Sequence, residues 1–358
     1  MISPHSFESI YNISPYIGGD ITPPGFTRRI VLASNENPYG PSPLVHEAIS
    51  KYTNIQSYPS GAATSLREAL ASFYHIEPSW IVTGNGSEDM LHNLARAFAR
   101  EGDEIIIPEH GFGVYKIATL AVGATPVIAK RNSFILSVDS ILEKITNKTK
   151  IIFLDHPGNP VAHYLNNLEV EELLKKVPKN VLVVFDSAYA EYMNKKSDYH
   201  SGIEWVKKHP NVVMVRTFSK AFGMANLRLG WLYGQENIVD PINRIRPPFN
   251  TTGISQIAGI QALKDFKWVE ECVEKNEQNL NLFKIGLEAL KVSFLPFESN
   301  FVMAHFNNAY DVYQYLGKKG VVVRPMNAYN LPNYLRITIS LKEHMEECLT
   351  VLKECLSQ

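Results

Sequence analysis

One pattern repeats between residues 80 and 233: a short β-rich run, a polar or glycine-bearing turn and, in several places, an amphipathic helical stretch. The runs fall at 80–83, 104–107, 125–128, 150–154, 181–185, 212–216 and 229–233, with helical spacing at 88–100 and 168–176. Strands separated by helices predict an α/β fold with a mostly parallel sheet and helices on both faces. In an open sheet of this kind, ligands sit beyond the carboxyl ends of the strands. The residues that follow each apolar run are therefore the ones to examine for chemistry.

The pattern breaks near Ile245-Arg-Pro-Pro-Phe249. Long helical stretches follow, then short runs at 301–304, 321–323 and 335–338. They predict a second, smaller α+β domain. A chain of 358 residues exceeds what one hydrophobic core usually serves, which agrees with two domains. The expected division is an extended arm over 1–30, a large domain over 31–245 and a small C-terminal domain over 246–358.

The net charge of −1 gives no field that would gather nucleic acid or an anionic membrane, so a small-molecule substrate is expected. Apolar runs are strand-sized and too short to span a bilayer. The three cysteines, Cys272, Cys348 and Cys355, show no metal-ligand spacing, and an odd number argues against a disulfide framework. Reduced thiols and a start without a basic-then-apolar leader point to a cytoplasmic protein and no metal centre.

The densest chemistry lies in Val212-Val-Met-Val-Arg-Thr-Phe-Ser-Lys-Ala-Phe-Gly223. An apolar strand ends in Thr217, Ser219 and Lys220, and Arg228 follows shortly after. Two hydroxyls and a guanidinium suit a phosphate, because the arginine fork bonds two oxygens at once. An amine in the same cation-rich, desolvated setting has a lowered pKa and becomes a nucleophile able to form a Schiff base. Any one of these residues alone would read as part of an ordinary polar loop. The combination is far more specific.

Val181-Leu-Val-Val-Phe-Asp-Ser-Ala-Tyr189 runs an apolar strand straight into Asp186. A buried carboxylate needs a partner. A protonated pyridine nitrogen would be one, and Tyr189 stands ready to donate to an oxygen on such a ring; capping of a following helix is the competing role. In Ile151-Ile-Phe-Leu-Asp-His-Pro-Gly-Asn-Pro160 a strand ends in a turn that displays Asn159. His156 in that turn reads as structural or exposed rather than as a base. Ile81-Val-Thr-Gly-Asn-Gly-Ser-Glu-Asp89 is a glycine-bearing strand-to-helix turn. There the backbone amides of Ser87 and Glu88 are placed to meet a phosphate. Arg336, in Tyr334-Leu-Arg-Ile-Thr338, needs an anionic partner, either a substrate carboxylate or an internal salt bridge.

Together these segments resemble the fold-type-I, class I/II aminotransferases that use pyridoxal 5′-phosphate, and within them the histidinol-phosphate aminotransferase branch. Ser14-Pro-Tyr-Ile-Gly-Gly19, Asn35-Glu-Asn-Pro-Tyr-Gly-Pro-Ser-Pro43, Tyr58-Pro59 with Leu66-Arg67, Thr217-Phe-Ser-Lys220 with Arg228, and Arg336-Ile-Thr338 carry the resemblance over nearly the whole chain. It implies that Lys220 is the Schiff-base lysine and proton shuttle and that Asp186 pairs with the pyridine nitrogen. Asn159 and Tyr189 would flank the ring oxygen, and Phe112 would stack on the ring. Ser87, Glu88, Thr217, Ser219 and Arg228 would surround the phosphate.

The resemblance further implies a homodimer in which Tyr58 reaches the partner's cofactor. Tyr16, Asn37, Arg324 and Arg336 would contact the substrates, L-histidinol phosphate or an aromatic amino acid as donor and 2-oxoglutarate as the 2-oxo acid. Three departures stand out: Asn159-Pro-Val-Ala162 replaces N-P-T-G, Asp186-Ser-Ala-Tyr189 replaces D-E-A-Y, and Ala225-Asn-Leu-Arg228 replaces A-G-L-R. None removes a catalytic atom. The enzymatic rival is a decarboxylase or lyase acting on a phosphorylated amino acid. The non-enzymatic rival is a cofactor-binding regulator, for which the chain offers no DNA-binding module or basic patch.

Overall fold

The computed structural model describes residues 6–15, 30–296 and 299–358. The strands are β1 (Ile30–Leu32), β2 (Ile81–Asn85), β3 (Glu104–Pro108), β4 (Thr125–Ala129), β5 (Arg131–Asn132), β6 (Ile135–Leu136), β7 (Thr149–Asp155), β8 (Leu182–Asp186), β9 (Val212–Thr217), β10 (Leu229–Gly234), β11 (Phe301–His305), β12 (Val321–Pro325) and β13 (Tyr334–Thr338). Seven of them form one sheet in the order β2-β10-β9-β8-β7-β3-β4. The pairs from β9 through β4 are parallel, and β10 runs antiparallel to both β9 and β2.

Both faces of this sheet are buried, which explains why its central strands are continuous apolar runs rather than alternating ones. Side chains still alternate between faces. Val183, Phe185, Val212 and Met214 enter one hydrophobic core, while Leu182, Val184, Val213 and Val215 enter the other. Helices on both sides supply the rest of each core, among them Thr64–Tyr74 on the first and Ser87–Phe98 on the second.

The direction of β10 decides what meets at the ligand edge. Strands β7, β8 and β9 end there, at Asp155, Asp186 and Thr217. Because β10 is antiparallel, it begins at the same edge, with Leu229 opposite Asn85 and Gly230 opposite Thr217. Arg228, just before β10, is thereby delivered beside the ends of its neighbours.

A second sheet has the order β1-β12-β13-β11. Its β1, near the start of the chain, pairs in parallel with β12, Ile30 opposite Val321. Thus a strand at the head of the segment assigned above to 31–245 packs with C-terminal strands, and Ala33, Ser34 and Asn35 lead from one sheet to the other. Helices Phe266–Ala289 and Lys342–Leu356 cover this sheet through Phe283, Leu287, Met345 and Leu352. No described helix is long and apolar enough to cross a membrane.

Candidate active site

The carboxyl edge of the large sheet meets the second sheet in one pocket. Its lining includes Ser87, Glu88, Phe112, Asn159, Asp186, Tyr189, Thr217, Ser219, Lys220, Arg228, Arg324 and Arg336. Twelve residues that the sequence marked as candidates thus surround a single cavity. Tyr58 does not line it: Tyr58 is 82% exposed and stacks on Phe249 at 4.6 Å between ring centroids. Asn37 does not line it either. Its amide donates to Ala221 O at 2.8 Å and its oxygen accepts from Tyr39 N at 3.0 Å. Tyr16 lies outside the described residues.

Asp186 is buried at the end of β8. Its Oδ2 accepts from the Tyr115 hydroxyl at 2.9 Å, while Oδ1 finds no hydrogen-bond partner among the described residues. Burial pushes Asp186 up to about 7 against the pull of the Tyr115 bond, and Asp155 on the neighbouring strand adds to the rise. A carboxylate with one oxygen left over in a buried site is poised for a cationic donor.

Lys220 shows the complementary perturbation. Burial, aided by the Arg336 guanidinium, lowers its amine to about 7. Its Nζ donates to Ser34 O at 3.0 Å and lies 5.6 Å from the centre of the Tyr189 ring. Such an amine is substantially neutral near pH 7, the form that attacks a carbonyl.

Opposite these groups is an anion cradle. The helix Ser87–Phe98 starts at Gly86, which supplies no side-chain cap, so the first-turn N–H groups have no competing acceptor from the cap residue. Gly86 has φ +83, and a Cβ there would lie 2.6 Å from Arg228 Nη2. A Cβ on Gly230 would come within 2.3 Å of Gly86 C and Ser87 N. Two glycines therefore let Arg228 and the helix start approach each other. Arg228 Nη1 also donates to Ser219 Oγ at 3.3 Å, and Ser219 N donates to Thr217 Oγ1 at 3.1 Å.

On the third side, Arg336 Nη1 donates to Asn159 Oδ1 at 2.6 Å and Nη2 donates to Ala33 O at 2.6 Å. With its oxygen occupied, Asn159 has its NH₂ group to offer a ligand. Tyr189 Oη accepts from Asn35 Nδ2 at 3.0 Å, which leaves the tyrosine's own proton for donation. Burial raises that phenol to about 12, so it remains protonated. Arg324 and Arg336 are register partners on β12 and β13, two like charges side by side facing the pocket. Directly opposed like charges repel, and a shared anion offsets the cost.

His156 is buried, and burial lowers it to about 3. It stacks on Tyr199 at 4.7 Å, and its Nε2 lies 3.1 Å from His200 O. It is a neutral packing residue, in line with the structural role expected for it.

Sequence reasoning passed over Tyr115, Asp155 and Arg131. The helical offset of Tyr115 from Phe112 was a usable signal: the helix Gly113–Ala121 begins at Phe112 and turns Tyr115 inward beneath it.

Residues 27–352 match the family model for aminotransferase class I and II, nearly the entire chain. The chain belongs to the class I and II aminotransferases. A histidinol-phosphate aminotransferase of Rhodospirillum centenum is 40% identical over 361 residues, covering 99% of each protein. Another, of Rhodopseudomonas palustris strain HaA2, is 39% identical over 368 residues and covers 100% of both. Among solved structures, the histidinol-phosphate aminotransferase of Sinorhizobium meliloti in complex with pyridoxal-5′-phosphate matches with a TM-score of 0.91 at 23% identity, over 99% of this chain and 98% of that one. L-threonine-O-3-phosphate decarboxylase of Porphyromonas gingivalis matches with a TM-score of 0.81 at 20% identity, over 91% and 99%. These likenesses fix the fold of the aminotransferase chain.

The aminotransferase pocket fits pyridoxal phosphate by its own chemistry. The orphaned Asp186 Oδ1 suits a protonated ring nitrogen, the glycine-lined cradle at Arg228 suits a phosphate, and the Lys220 amine suits an aldehyde.

Proposed function

We propose that this chain is a pyridoxal-phosphate-dependent aminotransferase that exchanges an amino group between L-histidinol phosphate and 2-oxoglutarate. The observation that carries the reaction class is the meeting of a neutral-leaning lysine, a carboxylate with an unmet oxygen and an anion cradle in one pocket. The substrate assignment draws on full-length likeness to histidinol-phosphate aminotransferases and on the paired arginines. Histidinol phosphate carries a phosphate and 2-oxoglutarate carries two carboxylates, so each substrate brings an anion to Arg324 and Arg336.

Bound pyridoxal phosphate would supply an electron sink for bond breaking at the substrate α-carbon. The chain's residues do the rest. Asp186 Oδ1 would keep a proton on the ring nitrogen. Arg228, Ser219 and the amides of Ser87 and Glu88 would anchor the phosphate. Lys220 Nζ would hold and move the proton taken from the substrate α-carbon. Proton transfer by a positioned amine contributes ~10²–10⁴-fold in rate. Tyr189 and Asn159 would donate to the ring oxygen, and Phe112 would pack against the ring. Arg336 binds the carboxylate of 2-oxoglutarate through its fork.

The proposed working unit is a homodimer with shared sites. Tyr58 and Ile55, 82% and 80% exposed, form an apolar surface with Phe249 that a second copy of the chain would cover. Cys272, Cys348 and Cys355 are free thiols, which agrees with a reducing cytoplasm.

The test is direct. Protein loaded with pyridoxal phosphate is given L-histidinol phosphate and 2-oxoglutarate, and glutamate is measured, with L-phenylalanine as the comparison donor. Glutamate formation strongly favouring the phosphorylated donor is expected. Equal use of phenylalanine would move the assignment to an aromatic aminotransferase. Carbon dioxide release from a phosphorylated amino acid without glutamate would replace transamination by decarboxylation.

A further inference from the structure

A buried ion pair stands in the pocket wall, where Asp155 is part of the lining. Arg131, on β5, and Asp155, at the end of β7, meet at 3.1 Å, with side-chain exposures of only 1% and 3%. A buried pair of this kind is costly to desolvate and is weak evidence for stability alone. Its geometry shows what else it does.

The guanidinium spends each of its nitrogens on a different segment. Nε donates to Glu109 O at 2.8 Å, Nη1 to Phe134 O at 3.3 Å and Nη2 to Asp155 Oδ1. Glu109 begins the turn that carries Phe112. The second oxygen of Asp155, Oδ2, accepts from Asn159 N at 3.3 Å. Asn159 Oδ1 in turn accepts from Arg336 Nη1, and Arg336 Nη2 reaches Ala33 O. Contacts therefore run unbroken from the Phe112 turn, through Arg131 and Asp155, to Asn159 and Arg336. Both oxygens of Asp155 are used, one on each side of the junction.

We propose that Arg131 and Asp155 are positioning residues that fix the Asn159 turn, and through Asn159 set the Arg336 guanidinium for a substrate carboxylate. This rests on the reading of Arg336 as the carboxylate site. A carboxylate is the group that fits, because an amide offers a single acceptor oxygen. Asp155→Asn keeps the shape but must give up either Arg131 or Asn159 N.

The experiment measures binding of maleate, an unreactive dicarboxylate, to the holoenzyme by calorimetry, beside cofactor affinity and thermal stability. Asp155→Asn is expected to weaken maleate about tenfold, the scale of one charge-assisted hydrogen bond, with a smaller loss of cofactor affinity because the phosphate cradle at Arg228 is untouched. In an Asn159→Ala background the same substitution should add almost nothing, since the route to Arg336 is already cut. Arg131→Lys keeps a charge beside Asp155 and removes the fork. It is expected to weaken maleate by a smaller factor, and it provides a second route if Asp155→Asn does not fold. Maleate affinity unchanged in these variants, or equal losses in both backgrounds, would overturn the proposal. Failure of wild-type holoenzyme to bind maleate, or loss of that binding being absent in Arg336→Lys, would instead count against the reading of Arg336.

Discussion

The Tyr115 hydroxyl donates to Asp186 Oδ2 at 2.9 Å, and the two residues are 71 positions apart. That bond occupies one carboxylate oxygen and leaves the other facing the pocket. It also opposes the burial that raises Asp186, and so it holds more of the charged form in place. Tyr115 itself is buried against Phe153, with ring centroids 5.0 Å apart, and its hydroxyl is not free to wander.

Removing that hydroxyl tests its effect on the cofactor site. Tyr115→Phe keeps the ring packing but leaves both Asp186 oxygens without a protein side-chain donor. Asp186 should titrate higher, hold a ring-nitrogen proton less firmly, and reduce turnover by roughly tenfold, the effect of losing about 1.4 kcal/mol of a hydrogen bond to a charged group. Absorbance titration with pyridoxal phosphate across pH checks the shift apart from turnover. An unchanged pH profile would reduce Tyr115 to a packing residue.

The phosphate cradle depends on two missing side chains. Gly230→Ala would drive a methyl to within 2.3 Å of the Gly86 and Ser87 backbone. Something must move, at a cost of about 1–3 kcal/mol for overpacking, and what moves is the anion site. Pyridoxal phosphate affinity should fall by ten- to a hundredfold, roughly what that energy implies. Equilibrium dialysis measures it, with circular dichroism to show that the variant is folded.

Lys220 gives a pH signature in the cofactor-free protein. Its folded value is near 7 against an ordinary value of 10.5. Between those limits the unfolded chain binds the proton more often than the folded one, so this site's contribution to stability rises with pH and is lowest below 7. Asp155, raised to about 6, has largely lost its proton at the lower end of that window, whereas Asp186, raised to about 7, is about half protonated there and loses its proton over the next pH unit. Lys220→Met should therefore be more stable than wild type near pH 7, with the gap closing toward pH 10. Urea denaturation at several pH values reads the difference. A constant gap would mean that the amine titrates normally.

Arg336→Lys replaces a fork that serves Asn159 and Ala33 with a single ammonium. Carboxylate substrates should bind ten- to a hundredfold more weakly, about the range expected for losing one or two charge-assisted bonds, with KM rising more than kcat falls. Steady-state kinetics with 2-oxoglutarate at fixed donor measures this, and an unchanged KM would assign the residue to internal packing.

Shared sites can be tested by mixing subunits. Tyr58→Ala and Lys220→Ala, each impaired alone, should regain activity when combined, because in a mixed dimer one site collects both defects and the other neither. With subunit exchange verified, the absence of recovery would return Tyr58 to simple stacking on Phe249.

The local sequence carried the strands and most of the site. Runs such as 105–107 and 181–185 are apolar because a central parallel strand is buried on both faces, and they reappear in β3 and β8. Polar residues at the ends of those runs had to lie at the ligand edge, which is why Asp186, Thr217, Ser219 and Lys220 could be picked out before any coordinates. Each signal spans a few neighbouring positions, and backbone geometry converts it directly into location.

What only the tertiary structure decided are the contacts between segments. The antiparallel course of β10 brings Arg228 back to the edge where β9 ends, and the pairing of β1 with β12 carries Ser34 to Lys220 and Ala33 to Arg336. Nothing in its own segment distinguishes Asp155, the last residue of β7; its partner Arg131 lies 24 positions away on another strand. Asn37, which its motif placed at the substrate, is held by Ala221 O instead. A motif names the residue type at a position, whereas the partner that gives it a role comes from another element, and strand order and direction decide which element that is.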